Sequence, residues 1–335
     1  MRKERGKMKS NHTQNKSKLS IRSLWGISIL ITVFMANASL TYAGKVASSC
    51  RKVALNTYIA ELIESQSDYN FEVAKANTYP DSDERKELVS EARADLKETR
   101  AELWERYKAR VEVCAGTMED YYNPEIDPED FLSPEEIAAN PNPFLPLIPG
   151  TVYTYEADTE DGLETIRVEV TEDTKEILGI DCIVVRDTVS IEDELVEDTK
   201  DWFTQDRDGN VWYFGEISFN YEDGEIEDLE GSWEADVEGA KPGIVMFANP
   251  EAMIGTVYRQ EYAVGEAEDI GEIVGVDATA ETTYMVFEGC LQTADYTPME
   301  PGVIEHKFYA PGIGFVREQK VGEDEIVELV SIETP

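Results

Sequence analysis

The residues able to do chemistry are unevenly supplied: 70 Asp+Glu, four cysteines and two histidines, His12 and His306. Carboxylates can act as general acids and bases, as nucleophiles or as ligands of hard cations. A Ser-His-Asp or Cys-His site in the body of the chain would have to use His306. That residue stands in Glu305-His306-Lys307-Phe308, a strand-like phrase that reads as a solvent-side or edge position rather than a base. No HExxH, GxSxG or Walker A pattern occurs. No catalytic or cofactor-binding residue is therefore assigned, and the chain reads as a non-enzyme. Two acids at a suitable separation suffice for glycoside hydrolysis, so a carboxylate-dependent hydrolase is the enzyme alternative. Trp202, Trp212 and Trp233 could then stack on sugar rings, although tryptophans in strand phrases more often fill cores.

The turn Asp206-Arg207-Asp208-Gly209-Asn210 is the candidate metal site, with Asp206, Asp208 and Asn210 as weak calcium ligands. Its spacing departs from a calcium loop, which wants Gly at position 6 and Glu at position 12. Asp-Gly-Asn is also a favoured hairpin turn in its own right. The four cysteines, Cys50, Cys114, Cys182 and Cys290, show no CxxC spacing, which favours two disulfides over zinc.

The leader places these residues outside the cytoplasm. Residues 1–22 carry eight basic side chains and one acid, and an apolar run from Leu24 to Phe34 follows. With the small-residue exit Thr41-Tyr42-Ala43, this reads as a signal peptide over 1–43, cleaved after Ala43. The run is short for a membrane span, which needs about 20 apolar residues, so the mature chain is expected to carry none. Val46-Ala47-Ser48-Ser49-Cys50 lacks the usual Leu of a lipidation signal, and Cys50 is read as a disulfide cysteine. Cleavage moves the formal charge from -40 to -47. Such a polyanion repels nucleic acid and anionic membrane surfaces, leaving an unknown envelope or extracellular partner. Salt adaptation, a basic partner and cation binding all fit the acidity.

Four elements must position these groups. Over 44–116 the apolar positions recur at helical spacing in two runs (Cys50, Val53, Ala54, Tyr58, Leu62, Tyr69, Val73, Ala76, then Leu88, Ala92, Leu96, Leu103, Tyr107, Val111, Cys114). Asp81 is placed to cap the second helix, and Gly116 to close it. Folded antiparallel about Pro80, the pair brings Cys50 and Cys114 to one open end, where a disulfide would contribute roughly 4 kcal/mol. Residues 117–148 form a Pro-rich linker. Beyond it, period-2 β-branched phrases such as Ile166-Arg167-Val168-Glu169-Val170 give β half 1 over 149–247 and β half 2 over 248–335.

These halves are an internal repeat. Gly150-Thr151-Val152-Tyr153 returns as Gly255-Thr256-Val257-Tyr258, and Phe203, Gly209 and Val211 as Phe308, Gly314 and Val316, all displaced by 105. The acids of the candidate calcium turn have no counterpart: Pro311, Ile313 and Phe315 stand opposite Asp206, Asp208 and Asn210. Cys182 and Cys290 correspond at 108. If the halves pack face to face, these two lie near a pseudo-two-fold axis, and a Cys182–Cys290 disulfide is expected. The fold class is thus α+β, an antiparallel helical hairpin followed by a duplicated antiparallel β unit of half-barrel or sandwich-like halves.

Three phrases, Gln205 through Glu216, Tyr309-Ala310-Pro311-Gly312-Ile313-Gly314-Phe315-Val316, and Pro143-Phe144-Leu145-Pro146-Leu147 leading into Pro149-Gly150-Thr151, resemble a family of uncharacterised bacterial secreted proteins over residues 140–332. The Tyr-Ala-Pro-Gly phrase is similar to closing strands of envelope half-barrel β domains, lipid carriers among them. The resemblance implies no catalytic or binding residue and does not cover the helical hairpin. The function expected is that of an exported, non-catalytic binding or interaction protein, periplasmic or extracellular. The carrier alternative is a half-barrel holding an apolar ligand, with Phe144, Leu147, Trp202 and Trp212 as lining.

Overall fold

The computed structural model describes residues 48–335. The signal peptide and its cleavage after Ala43 lie outside the described residues. Helices α1 (Ser48–Ala76) and α2 (Ser82–Gly116) form the antiparallel hairpin. Asp81 caps α2 by accepting from the backbone N–H groups of Asp83 and Glu84. Every apolar position of the two helical runs is buried or half-buried, whereas Leu55, Ile59 and Ile63, off that stripe, are exposed. Cys50 and Cys114 are disulfide-bonded across the open end with Cα atoms 5.8 Å apart.

The linker is packed rather than loose. Its short helix α3 (Pro134–Ala139) starts on a Ser133/Glu136 capping box and buries Ile137 completely. The buried Asn142 side chain pins the following loop: Nδ2 donates to the Gly209 and Phe247 carbonyls, and Oδ1 accepts from the Phe144 and Leu145 N–H groups. Leu145 and Leu147 are thereby held against the strands that follow.

The strands of the first half are β1 (Val152–Thr159), β2 (Gly162–Ile177), β3 (Ile180–Ile191), β4 (Glu194–Gln205), β5 (Val211–Glu222), β6 (Glu225–Asp228), β7 (Trp233–Glu234) and β8 (Lys241–Met246). Those of the second are β9 (Val257–Arg259), β10 (Glu261–Tyr262), β11 (Ile270–Glu281), β12 (Val286–Tyr296), β13 (Glu305–Ala310), β14 (Gly314–Lys320) and β15 (Ile326–Glu333). Two-residue turns with both residues at positive φ, Leu178-Gly179, Glu192-Asp193 and Asp223-Gly224, join successive strands, the geometry that matches strand twist.

All pairs are antiparallel, and the sheet runs β10-β8-β5-β4-β3-β2-β1-β15-β14-β13-β12-β11-β9. Its two ends are one piece of chain: Val257–Arg259 pairs with β11 and Glu261–Tyr262 pairs with β8. The bent segment Val257–Tyr262 therefore bridges the two ends of the sheet and curls it into a barrel, covering part of each end strand. Gly243 allows the closure, because a Cβ there would meet the Gln260 carbonyl oxygen at 2.3 Å. Around the ring, β1, β2, β3, β4, β5 and β8 correspond to β9, β11, β12, β13, β14 and β15, so the repeat is a pseudo-two-fold of the barrel.

The halves thus stand side by side in one ring, not face to face, and this corrects the second disulfide. Cys182 and Cys290 are both buried free thiols. Cys182, on β3, packs with Val184, Trp202 and Phe214 in a cluster on the outside of the barrel, under Phe131 and Trp233. Cys290, on β12, belongs to the main core with Phe287 and Leu291. Six strand steps separate β3 from β12. Sequence equivalence made the two cysteines symmetric without making them neighbours. Burial pushes both thiols up, so neither should react in the native protein. Non-reducing peptide mapping should find a single bridge, Cys50–Cys114, with two thiols labelled only after denaturation. A Cys182–Cys290 peptide would overturn the ring topology.

Candidate functional site

Strand alternation decides what enters the barrel. On β3, Val185 and Asp187 face inward and Val184 outward; on β4, Asp201 and Phe203 face inward and Trp202 outward. On β5 a bulge breaks the phase: Asp201 lies opposite Glu216, but Phe203 lies opposite Tyr213. Gly215, at φ 133, makes the bulge possible, since a Cβ there would meet the Trp233 carbonyl oxygen at 2.3 Å. Both Tyr213 and Glu216 consequently reach the interior.

The interior is not filled. A cavity of about 570 Å³ is lined by residues of β1–β5, β8, the closing segment and β12–β15. Nine carboxylic acids and two lysines, Lys307 and Lys320, line it together with Tyr155, Tyr213, Tyr309 and apolar side chains. An adjoining space of about 240 Å³ is more apolar, walled by Leu147, Tyr153, Val170 and Val185, and shares Leu145, Asp187 and Phe203 with the first.

Glu164 and Glu325 stand on the Lys320 side, where Lys320 Nζ lies 2.8 Å from Glu325; the other seven, with Asp201 of the adjoining space, fall into three groups. On β3–β5, the Tyr213 hydroxyl donates to Asp201 Oδ1 at 2.6 Å, and Asp201 stands opposite Glu216 across β4 and β5. Burial raises both carboxyls, Asp201 to about 6 with the Glu197 charge adding to it and Glu216 to about 8 with the Asp201 charge adding to it, so the pair retains a proton at neutral pH. Burial and the nearby Asp201 charge lift Asp187 well above the usual carboxylate range, and its Oδ1 is buried without a hydrogen-bond partner.

On β12–β14, Lys307 Nζ lies 3.7 Å from Asp295, 3.6 Å from Glu305 and 3.5 Å from Glu318. Burial works against the ammonium, but the Asp295 and Glu318 charges outweigh it and raise Lys307. Asp295, 5% exposed, accepts from Gln260 Nε2 on Oδ2, while its Oδ1 has no hydrogen-bond partner. The third group is at the closing segment, where Trp233 Nε1 donates to the buried Glu261 at 2.9 Å. Burial and the neighbouring Asp269 keep the Glu261 carboxyl raised.

The residues singled out by sequence lie elsewhere. Asp206 accepts from the backbone and side-chain N–H groups of Asn210 and from Trp212 Nε1, all at 2.8 Å, so its carboxylate organises the turn. Asn210 Oδ1 accepts from the Ala248 N–H, and Asp208 is exposed. Among the described residues no group of three or more His, Cys, Asp and Glu is arranged to hold a metal ion. His306 alternates with Glu305 and Lys307 and faces away from the cavity. Of the four apolar side chains expected to line a carrier, Leu147 does so. Trp202 and Trp212 lie against the outer cluster and Phe144 packs against the main core.

The lumenal acids were hidden among many others, yet they carry a signal. Ile183, Val185 and Asp187, like Leu291, Thr293 and Asp295, put the acid on the face of the strand whose two preceding residues are buried. The displacement of 108 that relates the cysteines also relates Asp187 to Asp295.

The hairpin is fastened where the barrel closes. Arg110 of α2, 4% exposed, donates to Glu268 in the β10–β11 loop at 3.0 and 3.1 Å and to Glu61 of α1 at the same distances. Beside it Arg259 lies 4.3 Å from the Tyr262 ring and pairs with Glu119.

No protein-family model matches this chain, and no curated protein matches it. Among solved structures it is similar to one described as a "putative lipoprotein" from Parabacteroides distasonis, with 13% identity and a TM-score of 0.31 over 57% of this chain and 99% of that one. A likeness at that score carries no argument about function. No helix of the described residues is long and apolar enough to cross a membrane.

Proposed function

We propose that this is an exported, non-catalytic binding protein that holds a small molecule inside the barrel. The observation that carries the reading is the cavity of about 570 Å³ inside the antiparallel barrel, where many polar groups converge with a smaller set of apolar side chains. The basic leader with its apolar run and the Cys50–Cys114 disulfide support export. A purely apolar cargo fits the wall poorly, because a lipid chain would leave buried carboxyls without partners. Calcium at Asp206 is not part of this reading, since that carboxylate is already engaged by its own turn.

Native mass spectrometry of the exported protein taken from its own cells tests the proposal. Val168 lines both spaces, and Val168→Trp should push an indole into the lumen where a ligand would sit. The expected result is a small-molecule adduct on the wild type that is lost in folded Val168→Trp. An adduct retained by the variant, or none on the wild type, would count against lumenal binding.

A further inference from the structure

We propose that the lumenal ligand is a small organic polycation, an aliphatic diamine or polyamine whose ammonium groups bridge the Asp187 and Asp295 sides of the barrel. This deepens the binding-protein reading and rests on it.

The first ground is a pair of unmet acceptors. Among the described residues, five buried side-chain atoms lack a hydrogen-bond partner, and the two that belong to acids are Asp187 Oδ1 and Asp295 Oδ1. Both residues line the cavity, and Asp295 is 95% removed from solvent, being 5% exposed. A buried polar atom without a partner costs about 1–3 kcal/mol and more when charged, so its persistence calls for an explanation. A donor from a ligand supplies one.

The second ground is symmetry. Asp187 on β3 and Asp295 on β12 occupy corresponding strands of the two halves, and the displacement between them, 108, is that of the two cysteines on the same strands. Each carries further acids beside it: Asp201 and Glu216 on β4 and β5, Glu305 and Glu318 on β13 and β14. A pseudo-two-fold site with carboxyl acceptors on both sides suits a ligand with amine donors at both ends.

The third ground separates an organic cation from a metal. The lumenal acids are dispersed around the wall, and no three of the described residues converge as a metal cage. Beside the acidic groups the wall offers Ile166, Val168 and Phe203, fit for a methylene chain, and the tyrosines Tyr155, Tyr213 and Tyr309. Tyrosine faces and hydroxyls suit ammonium groups, which make charge-assisted hydrogen bonds and cation–π contacts. Lys307 is the resident example: one ammonium already sits among three carboxylates in the same cavity.

Isothermal titration calorimetry of the mature protein in 0.5 M salt, where diffuse surface binding is screened, tests this with spermidine, 1,4-diaminobutane, butylamine and calcium chloride. The expected result is saturable binding of one polyamine per chain, at least tenfold weaker binding of the monoamine, and no saturable binding of calcium. Asp187→Asn/Asp295→Asn should weaken the polyamine at least tenfold. Glu225→Gln/Glu227→Gln, which removes the same charge from an exposed hairpin, should leave it unchanged. Equal losses in both variants, equal affinity for monoamine and polyamine, or saturable calcium binding in place of polyamine would overturn the proposal. If no amine binds while mass spectrometry still finds an adduct that Val168→Trp removes, the ligand class is wrong and lumenal binding stands. If both fail, the binding-protein reading falls with it.

Discussion

Arg110→Met is expected to destabilise the protein by about 3–5 kcal/mol, the range found when one partner of a buried ion pair is removed. The loss does not come from a missing attraction alone. Glu268 is 3% exposed and has Arg110 as its only cationic partner among the contacts it makes; its other hydrogen bond comes from the Gly265 N–H. Without the guanidinium its carboxylate is left without a counter-charge in a poorly solvated place. Glu61, on the other side of Arg110, is 17% exposed at its side chain and can be rehydrated, so Glu61→Gln should cost under about 1 kcal/mol. The double variant Arg110→Met/Glu268→Leu removes both charges and should recover most of the loss, because an apolar pair of similar volume avoids desolvation. Urea unfolding of the wild type and these three variants measures the differences. Arg110→Met within 1 kcal/mol of wild type would show that the hairpin is not held by this residue. A double variant no better than Arg110→Met would show that the stranded charge is not the cause.

That junction also marks where sequence reading stopped. The hairpin was legible because helical period, the Asp81 cap and the cysteine spacing about Pro80 all agree, and each is a local signal. The duplication was legible because Gly-Thr-Val-Tyr recurs at the start of corresponding strands. Ring closure was not, since it depends on the six-residue segment Val257–Tyr262 serving two neighbours at once, and on Gly243 giving room for it. With closure unseen, the inward face of the strands could not be known as a lumen. Trp202 and Trp212 then looked like lining, although strand alternation places them outside. Arg110 was hidden for a related reason: a charged residue in a helix reads as solvated surface until its partner, 158 residues away, is brought to it.

Raising the pH from 5 to 8.5 in 0.5 M salt should lower the stability of the ligand-free protein by an amount on the order of 5 kcal/mol, or roughly 10 °C in melting temperature for a chain of this size. The cause is the Asp201–Glu216 pair, which burial chiefly, with the charges of Glu197 on Asp201 and of Asp201 on Glu216, holds at about 6 and about 8. In the unfolded chain both carboxyls release their protons near pH 4. Between pH 4 and 8 the folded protein therefore binds protons that the unfolded chain has lost, and stability falls as pH rises. Below pH 4 both states hold the protons, above 8 neither does, and the pair's contribution is flat outside this window. Surface repulsion also grows with pH, but salt of this strength screens it. Asp201→Asn/Glu216→Gln keeps the shape and the hydrogen-bonding ability of the pair without its titration. Its melting curve should be flatter over the same range, and its advantage over wild type should be greatest at pH 8.5. Some slope should persist, because Asp187, Glu261, Asp269 and Glu318 are raised as well, each chiefly by burial. Thermal unfolding followed by circular dichroism across the range decides it: parallel curves for the two proteins would mean that the pair does not hold its proton in the folded barrel, and a wild-type stability that rises with pH would reverse the sign of the whole lumenal electrostatic argument.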